Sequence, residues 1–166
     1  MSVLNDHVCI VGDGGNSLGE ATARALADHG ATVVVNDLGT SVHGEGGDPE
    51  VAERIVESIR ENGGDATAHA GDLTEFAYAD NLVADTVDEH GRVDSVLNFA
   101  GILRDDISYK LDPEDWREVV QTNLTGQFTL QAACQNWREQ LVTRASTATA
   151  PTSQRARTPC AATSGR

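Results

Sequence analysis

Val8-Cys9-Ile10-Val11-Gly12-Asp13-Gly14-Gly15-Asn16-Ser17-Leu18-Gly19, continuing through Glu20 to Gly30, is the stretch whose reading decides the fold. Val8 to Val11 is a short apolar run bounded by polar residues and glycine, the pattern of a parallel strand covered on both faces. After the turn, Leu18, Ala21, Thr22, Ala25, Leu26 and His29 recur at helical spacing, and Gly30 stands where a helix end favours glycine. Gly12, Gly14 and Gly19 let the backbone reach positive φ and let a phosphate approach the amides at the helix N-terminus, beside Ser17 and Leu18. A glycine-rich turn alone is equally compatible with any tight strand-to-helix connection.

The next segment separates the two readings. Ala31 to Asn36 is a second β-branched run closed by Asp37, about 20 residues past the glycines, where a dinucleotide-binding βαβ unit places the acid that accepts from the adenosine ribose. An ordinary strand-end turn residue is the other reading of Asp37. A carboxylate there repels a 2′-phosphate, and no Lys or Arg lies between Arg24 and Arg54 to offset it. NAD is therefore expected rather than NADP.

A chain of 166 residues suits one domain with a real core and is short for two. No apolar run approaches the roughly 20 residues of a membrane span. MSVLNDH has neither the basic nor the apolar region of a secretory signal. Three widely spaced cysteines (Cys9, Cys134, Cys160) fit a reducing compartment, so a cytoplasmic location is expected. The five histidines form no metal-ligand spacing, and no metal is expected. The net charge of −14, with Lys110 the sole lysine, argues against nucleic acid or an anionic membrane as partner. Such an acidic surface also suits high salt, where screening relieves self-repulsion. All 26 acids and 8 of the 12 bases precede residue 140, a balance of −18, whereas 140–166 carries four arginines and no acid.

Further along, Asp48-Pro49-Glu50 reads as a helix start, Val51, Ala52, Ile55, Val56 and Ile59 as its apolar stripe, and Asn62-Gly63-Gly64 as its end. Ala66 to Ala70 reads as a third strand. Thr74 is expected to cap a third helix whose inner face is Phe76, Ala79, Val83, Thr86 and Val87, ending at Gly91. Val93 to Phe99 is a fourth strand, and Asp112-Pro113-Glu114 opens a fourth helix running through Trp116, Val119, Val120, Asn123, Leu124 and Phe128 towards Trp137. Alternating strands and helices with short connections imply a parallel sheet with helices on both faces. No internal repeat is visible.

The glycine-rich turn, Asn36-Asp37, Asp72-Leu73, Asn98-Phe99-Ala100-Gly101 and Asn123-Leu124-Thr125-Gly126 occur in an order and spacing that resembles the short-chain dehydrogenase/reductase family over roughly residues 5–138. Residues 33–39 and 101–105 look most similar to two of its subgroups. One is the 3-hydroxyacyl-CoA dehydrogenase domain of multifunctional enzymes, the other the 3-oxoacyl-acyl-carrier-protein reductases. The resemblance implies an α/β fold, a Rossmann-type doubly wound parallel sheet, here incomplete at the C-terminus. It implies NAD-dependent hydride transfer on a small hydroxy or keto substrate, possible as a 3-hydroxyacyl or 3-oxoacyl thioester.

It also implies roles for single residues. Asp72 would accept from the adenine amino group with Leu73 against the ring, the other reading of Asp72 being a helix cap. Asn98, Ala100 and Gly101 would floor the nicotinamide ribose, with Phe99 where the family carries a second Asn. Asn123 would be the catalytic helix Asn whose carbonyl holds a relay water, or else a polar residue at a helix irregularity. Aligned backwards from Gly19, Ser17 stands for the family's middle glycine and Asp13 for its first. Homo-oligomerisation through the fourth helix is the family's habit, against simple core packing of that helix's apolar stripe.

The family's Ser and its Tyr and Lys four residues apart are not found. The two tyrosines are Tyr78 and Tyr109, and Lys110 adjoins Tyr109. Catalytic impairment is therefore expected, with a non-catalytic NAD-binding fragment as the alternative. Residues 1–139 are expected to form the dinucleotide-binding domain. Residues 140–166, rich in Ala, Thr, Ser and Arg, are expected to be irregular, and read best as the product of a shifted reading frame.

Overall fold

A computed structural model describes residues 2–148 of the chain, with side chains to residue 139. Four parallel strands, β1 (Val8–Gly12), β2 (Thr32–Asn36), β3 (Asp65–His69) and β4 (Ser95–Asn98), form one sheet in the order β3-β2-β1-β4. The helices are α1 (Ser17–Asp28), α2 (Glu50–Glu61), α3 (Phe76–His90), α4 (Pro113–Val120) and α5 (Gly126–Ala148), with a π-helical turn over Gln121–Thr125 joining the last two. The sheet order reverses at β1, which pairs with β2 on one side and β4 on the other.

Side-chain alternation assigns the helices to faces. Cys9, Val11, Val33 and Val35 point to one side and pack with Ala23 and Ala27 of α1 and with Ala52, Ile55, Val56 and Ile59 of α2. Val8, Ile10 and Val34 point to the other and meet Ala79, Leu82 and Val83 of α3 and Leu130 and Ala133 of α5. This is the doubly wound α/β arrangement expected from the alternating segments.

Local chemistry sets most boundaries. Asp48 accepts from the Glu50 amide at 3.0 Å, and Asp112 from Glu114 at 2.8 Å, so both Asp-Pro-Glu segments start helices as read. Gly63 and Gly91 take φ of +84° and +80° at the ends of α2 and α3. Of the outer strands, β3 lies one residue earlier than expected and β4 is shorter. β4 lacks Val93, Asp94 and Phe99 because its ladder with β1 spans only Cys9 to Gly12, while the Asp94 side chain instead accepts from the Val8 amide at 2.9 Å.

Four expectations need correction. The apolar spacing put Leu18, Ala21, Thr22, Ala25, Leu26 and His29 of α1 on one face; Leu26 does pack against the core, but the helix is buried through Gly19, Ala23 and Ala27, and Leu18 is 70% exposed. Small residues win because α1 lies close on its turn; a methyl on Gly19 would overlap the Asp13 carbonyl oxygen. Thr74 does not cap α3, which starts at Phe76 without a side-chain cap. Phe76 is 53% exposed and sits edge-on to Phe128, with Leu82 taking the inward position. The backbone does not break at residue 140, since α5 continues to Ala148; no proline or glycine interrupts 127–148. Residues 149–166 of the expected tail lie outside the described residues.

Candidate functional site

The reversal of strand order leaves a crevice outside the carboxyl ends of β1 and β4, the place where open α/β sheets bind ligands. A cavity of about 50 Å³ lies there, lined among others by Asp13, Asp37, Asp72, Leu73, Ala100 and Gly101. Gly12, Gly14, Ser17, Leu18, Gly19, Asn98 and Asn123, also singled out from the sequence, are not among the residues that line it.

The turn after β1 is held tightly. The Gly14 amide donates to the Asn36 carbonyl at 3.1 Å, and a methyl on Gly14 would come 2.8 Å from Val35. Gly12 faces Asn98 and Leu73, where an added Cβ would lie 2.6 Å from Asn98 Oδ1. Asp13 and Ser17 adopt φ of +55° and +22°, a region favoured by glycine. Both are the positions at which the family pattern has glycine. Asn16 precedes α1 without a side-chain cap, leaving the first-turn amides beside Ser17 and Leu18 without a side-chain acceptor from it.

Asp37 is 1% exposed and bonds to backbone on both oxygens. Oδ2 accepts from Gly15 N at 2.8 Å and Oδ1 from Gly39 N at 2.5 Å, so the carboxylate ties the glycine-rich turn to the exit of β2. Each oxygen keeps a second lone pair for a further donor. Asp13 lies near Asp37; burial first of all, and then that neighbouring charge, push its carboxyl up, while the bond from Asn16 Nδ2 at 3.0 Å pulls it down.

Asp72 is half-buried and accepts from the Thr74 amide at 2.8 Å, an Asx turn leading into α3 rather than the cap itself. Leu73 is buried in the core beneath the crevice. Asn98 accepts from the Ala100 amide and donates to the Gly126 carbonyl, both at 3.0 Å, and Gln127 donates to the carbonyls of Asn98 and Ala100. Asn123 lies in the π-helical turn, as the irregularity reading has it, and brackets Ile102: Oδ1 accepts its amide at 2.8 Å and Nδ2 donates to its carbonyl at 3.0 Å. Its side chain thus positions the loop after β4 at the edge of the crevice.

One pair escaped sequence reading. Asn36, 2% exposed, donates to the Gly71 carbonyl at 3.1 Å and accepts from the Tyr78 hydroxyl at 2.5 Å. Tyr78 is thus engaged in joining β2 to α3, and Tyr109 is 79% exposed. Burial, with a smaller contribution from Asp85, pushes the Tyr78 phenol up to about 12. Tyr78→Phe should lower stability by about 1–3 kcal/mol in urea unfolding, because Asn36 Oδ1 loses its partner. The raised value favours the neutral phenol in the fold, so this contribution is complete below the unfolded value near 10 and lost as pH rises towards 12. Wild type should accordingly lose stability over that interval more steeply than the Phe variant; parallel curves would contradict it.

No group of three or more His, Cys, Asp or Glu is arranged to hold a metal among the described residues. No helix among them is long and apolar enough to cross a membrane.

Comparison with known proteins matches this architecture. A family model described as short chain dehydrogenase aligns with residues 6–144, and the chain belongs to the short-chain dehydrogenase family. A short-chain type dehydrogenase/reductase of Mycobacterium tuberculosis is 38% identical over 90% of this chain and 52% of its own length. Peroxisomal multifunctional enzyme type 2 of Mus musculus is 37% identical over 78% of this chain and 17% of that protein. The 3-oxoacyl-[acyl-carrier-protein] reductase of a Synechocystis species is 36% identical over 77% and 49% respectively. Among solved structures, a short chain dehydrogenase from Mycobacterium avium superposes with a TM-score of 0.78 at 31% identity, covering 87% of this chain and 51% of that one. The chain thus spans about half the length of the mycobacterial relative. Both subgroups suggested by the motifs are among these relatives.

Proposed function

We propose that this chain is the NAD-binding portion of an oxidoreductase that interconverts a hydroxy and a keto group on a small molecule. The observation that carries this reading is the convergence of the β1 turn, Asp37, Asp72 and the Asn98–Gly101 segment on the strand-order reversal. These residues fit a dinucleotide: uncapped helix amides for the diphosphate, a carboxylate at the end of β2 for a ribose diol, and small residues at the floor. The nicotinamide, when bound, gives or takes the hydride. Asp37 repels a 2′-phosphate and thereby favours NAD over NADP. A 3-oxoacyl or 3-hydroxyacyl thioester is the substrate class favoured by the kinship with the Synechocystis reductase.

Proton transfer to the substrate oxygen needs a positioned acid. Tyr78 is engaged with Asn36, and Tyr109 adjoins Lys110 on the surface, so slow turnover or none is expected from these residues. Asn123 Oδ1 and Nδ2 hold Ile102, and its proposed contribution is through its backbone carbonyl. A purely NAD-binding, non-catalytic role is the second reading, favoured by the same engagement of Tyr78.

Fluorescence titration with NADH, run beside NADH oxidation with a 3-oxoacyl thioester, separates these readings. Binding below millimolar concentration with slow oxidation supports the first; binding with no oxidation supports the second. Absence of binding at millimolar NADH defeats both.

Trp116, Leu124 and Phe128 of the expected stripe are 61%, 66% and 59% exposed and face outward, whereas Trp137 packs against the core. We assign this face to association with a second copy. A cytoplasmic setting, on the strength of the three widely spaced cysteines, and a high-salt one, on the strength of the charge of −14, complete the proposal.

A further inference from the structure

We propose that residues 39–45 form a strap that closes over the crevice and must lift for a dinucleotide to enter; this rests on the dinucleotide reading above. The segment between β2 and α2 is a self-contained loop. Its base is pinched where the Asp48 amide donates to the Leu38 carbonyl at 3.2 Å, beside Gly39 at φ +66°. Its interior is organised by Ser41, whose Oγ accepts from the amides of His43 and Glu45, both at 3.2 Å, and whose own amide donates to the Glu45 carbonyl at 2.9 Å.

The loop does not stand free. It reaches the segment after β4 and is fastened there by three contacts. The Leu103 amide donates to the Val42 carbonyl at 2.9 Å, and His43 Nδ1–H donates to the Leu103 carbonyl at 2.9 Å. Glu45 lies 3.6 Å from the Arg104 guanidinium, which Glu118 at 2.9 Å and Asp115 at 3.8 Å hold from α4. Gly44 adds a close approach to Ile102, the residue that Asn123 brackets.

The strap therefore spans from the exit of β2 to the exit of β4, across the ends between which the glycine-rich turn lies. Leu38 and Thr40 at its root, with Ile102 opposite, help to enclose the cavity of about 50 Å³. Ligand sites ordinarily measure about 300–1,000 Å³, so the part of the crevice bounded in this arrangement is smaller than an adenosine site. Asp37, 1% exposed, lines the same cavity, so a ribose reaching its carboxylate has to occupy the space that Leu38, Thr40 and Ile102 border. The fastenings are individually weak: two hydrogen bonds and an ion pair whose Glu45 side chain is 74% exposed. That is the energy scale of a gate rather than of a permanent wall, since the apparent affinity is the intrinsic one scaled by the open fraction.

Two variants test this in opposite directions, read by stopped-flow NADH fluorescence. The double substitution His43→Ala with Glu45→Gln removes two fastenings and should speed NADH association by about tenfold, the scale of one hydrogen bond plus one ion pair. Val42→Cys with Leu103→Cys joins two exposed neighbouring positions; in the oxidised form it should slow association by about tenfold or more, the counterpart of holding the open fraction down. Reductant should restore the wild-type rate. Amide exchange at Leu103 should quicken in the first variant and slow in the oxidised second. Unchanged association rates in both, with wild type binding NADH, overturn the strap alone. No NADH signal in wild type or either variant overturns the dinucleotide reading and the strap with it.

Discussion

Asp13→Gly should bind NADH about 10–100-fold more tightly than wild type and unfold at a higher temperature. The backbone at Asp13 has φ +55°, where a Cβ costs roughly 1–2 kcal/mol that glycine avoids. The carboxyl lies in the turn that would carry the diphosphate and shares the cavity wall with Asp37. A carboxylate within about 5 Å of a diphosphate, at the effective dielectric of a protein surface, opposes binding by about 1–3 kcal/mol after screening. The stability effect has a definite pH signature. Burial raises the Asp13 value, so the folded state prefers the protonated form. Its penalty is absent below the ordinary Asp value near 3.9 and fully present above the raised one. The melting-temperature gap between variant and wild type should therefore widen as pH rises from about 4. NADH affinity equal to or below that of wild type would show that Asp13 does not face the diphosphate.

Asp37→Ala should have the opposite and larger effect. It leaves the amides of Gly15 and Gly39 without their buried acceptor. Hydrogen bonds to a charged group contribute about 1.5–3 kcal/mol each, so a loss of about 3–5 kcal/mol is expected, a large share of the 5–15 kcal/mol available to a typical domain. NADH binding should fall at least a hundredfold in the folded fraction, because the turn loses its tie and the ribose its acceptor. Removing the carboxylate also removes the repulsion of a 2′-phosphate, so the NADH-to-NADPH affinity ratio should drop. A variant with lowered stability but an unchanged ratio would assign Asp37 a structural role only. Chemical denaturation and paired titrations give both readings.

The two variants mark how far the sequence could be read. The run Val8–Val11, the β-branched Thr32–Asn36 and the two Asp-Pro-Glu starts carry local signals, and the sheet and its helices follow from them. The positive φ at Asp13 and Ser17 was foreshadowed by their standing where glycine is usual. What the sequence hides is contact at a distance. Nothing near Asn36 announces that Tyr78, 42 residues on, will donate to it. Nothing in residues 39–45 shows that the loop will fasten to Leu103 and Arg104 rather than project into solvent. Hydrophobicity ranks Leu18 above Ala23 for the packed face of α1, whereas the close approach at Gly19 selects for size. Phe76 lies on the inward spacing of α3 but at its very start, where the neighbour is Phe128 instead of the sheet.

The most direct measurement is amide hydrogen exchange of the whole chain with and without saturating NADH, read residue by residue. Dinucleotide binding at the carboxyl ends of the strands predicts slowed exchange at residues 14–19, at 37–39, at 72–74 and at 98–103. Protection confined to other surfaces, or no change at saturating NADH, would contradict the assignment of this crevice to a dinucleotide.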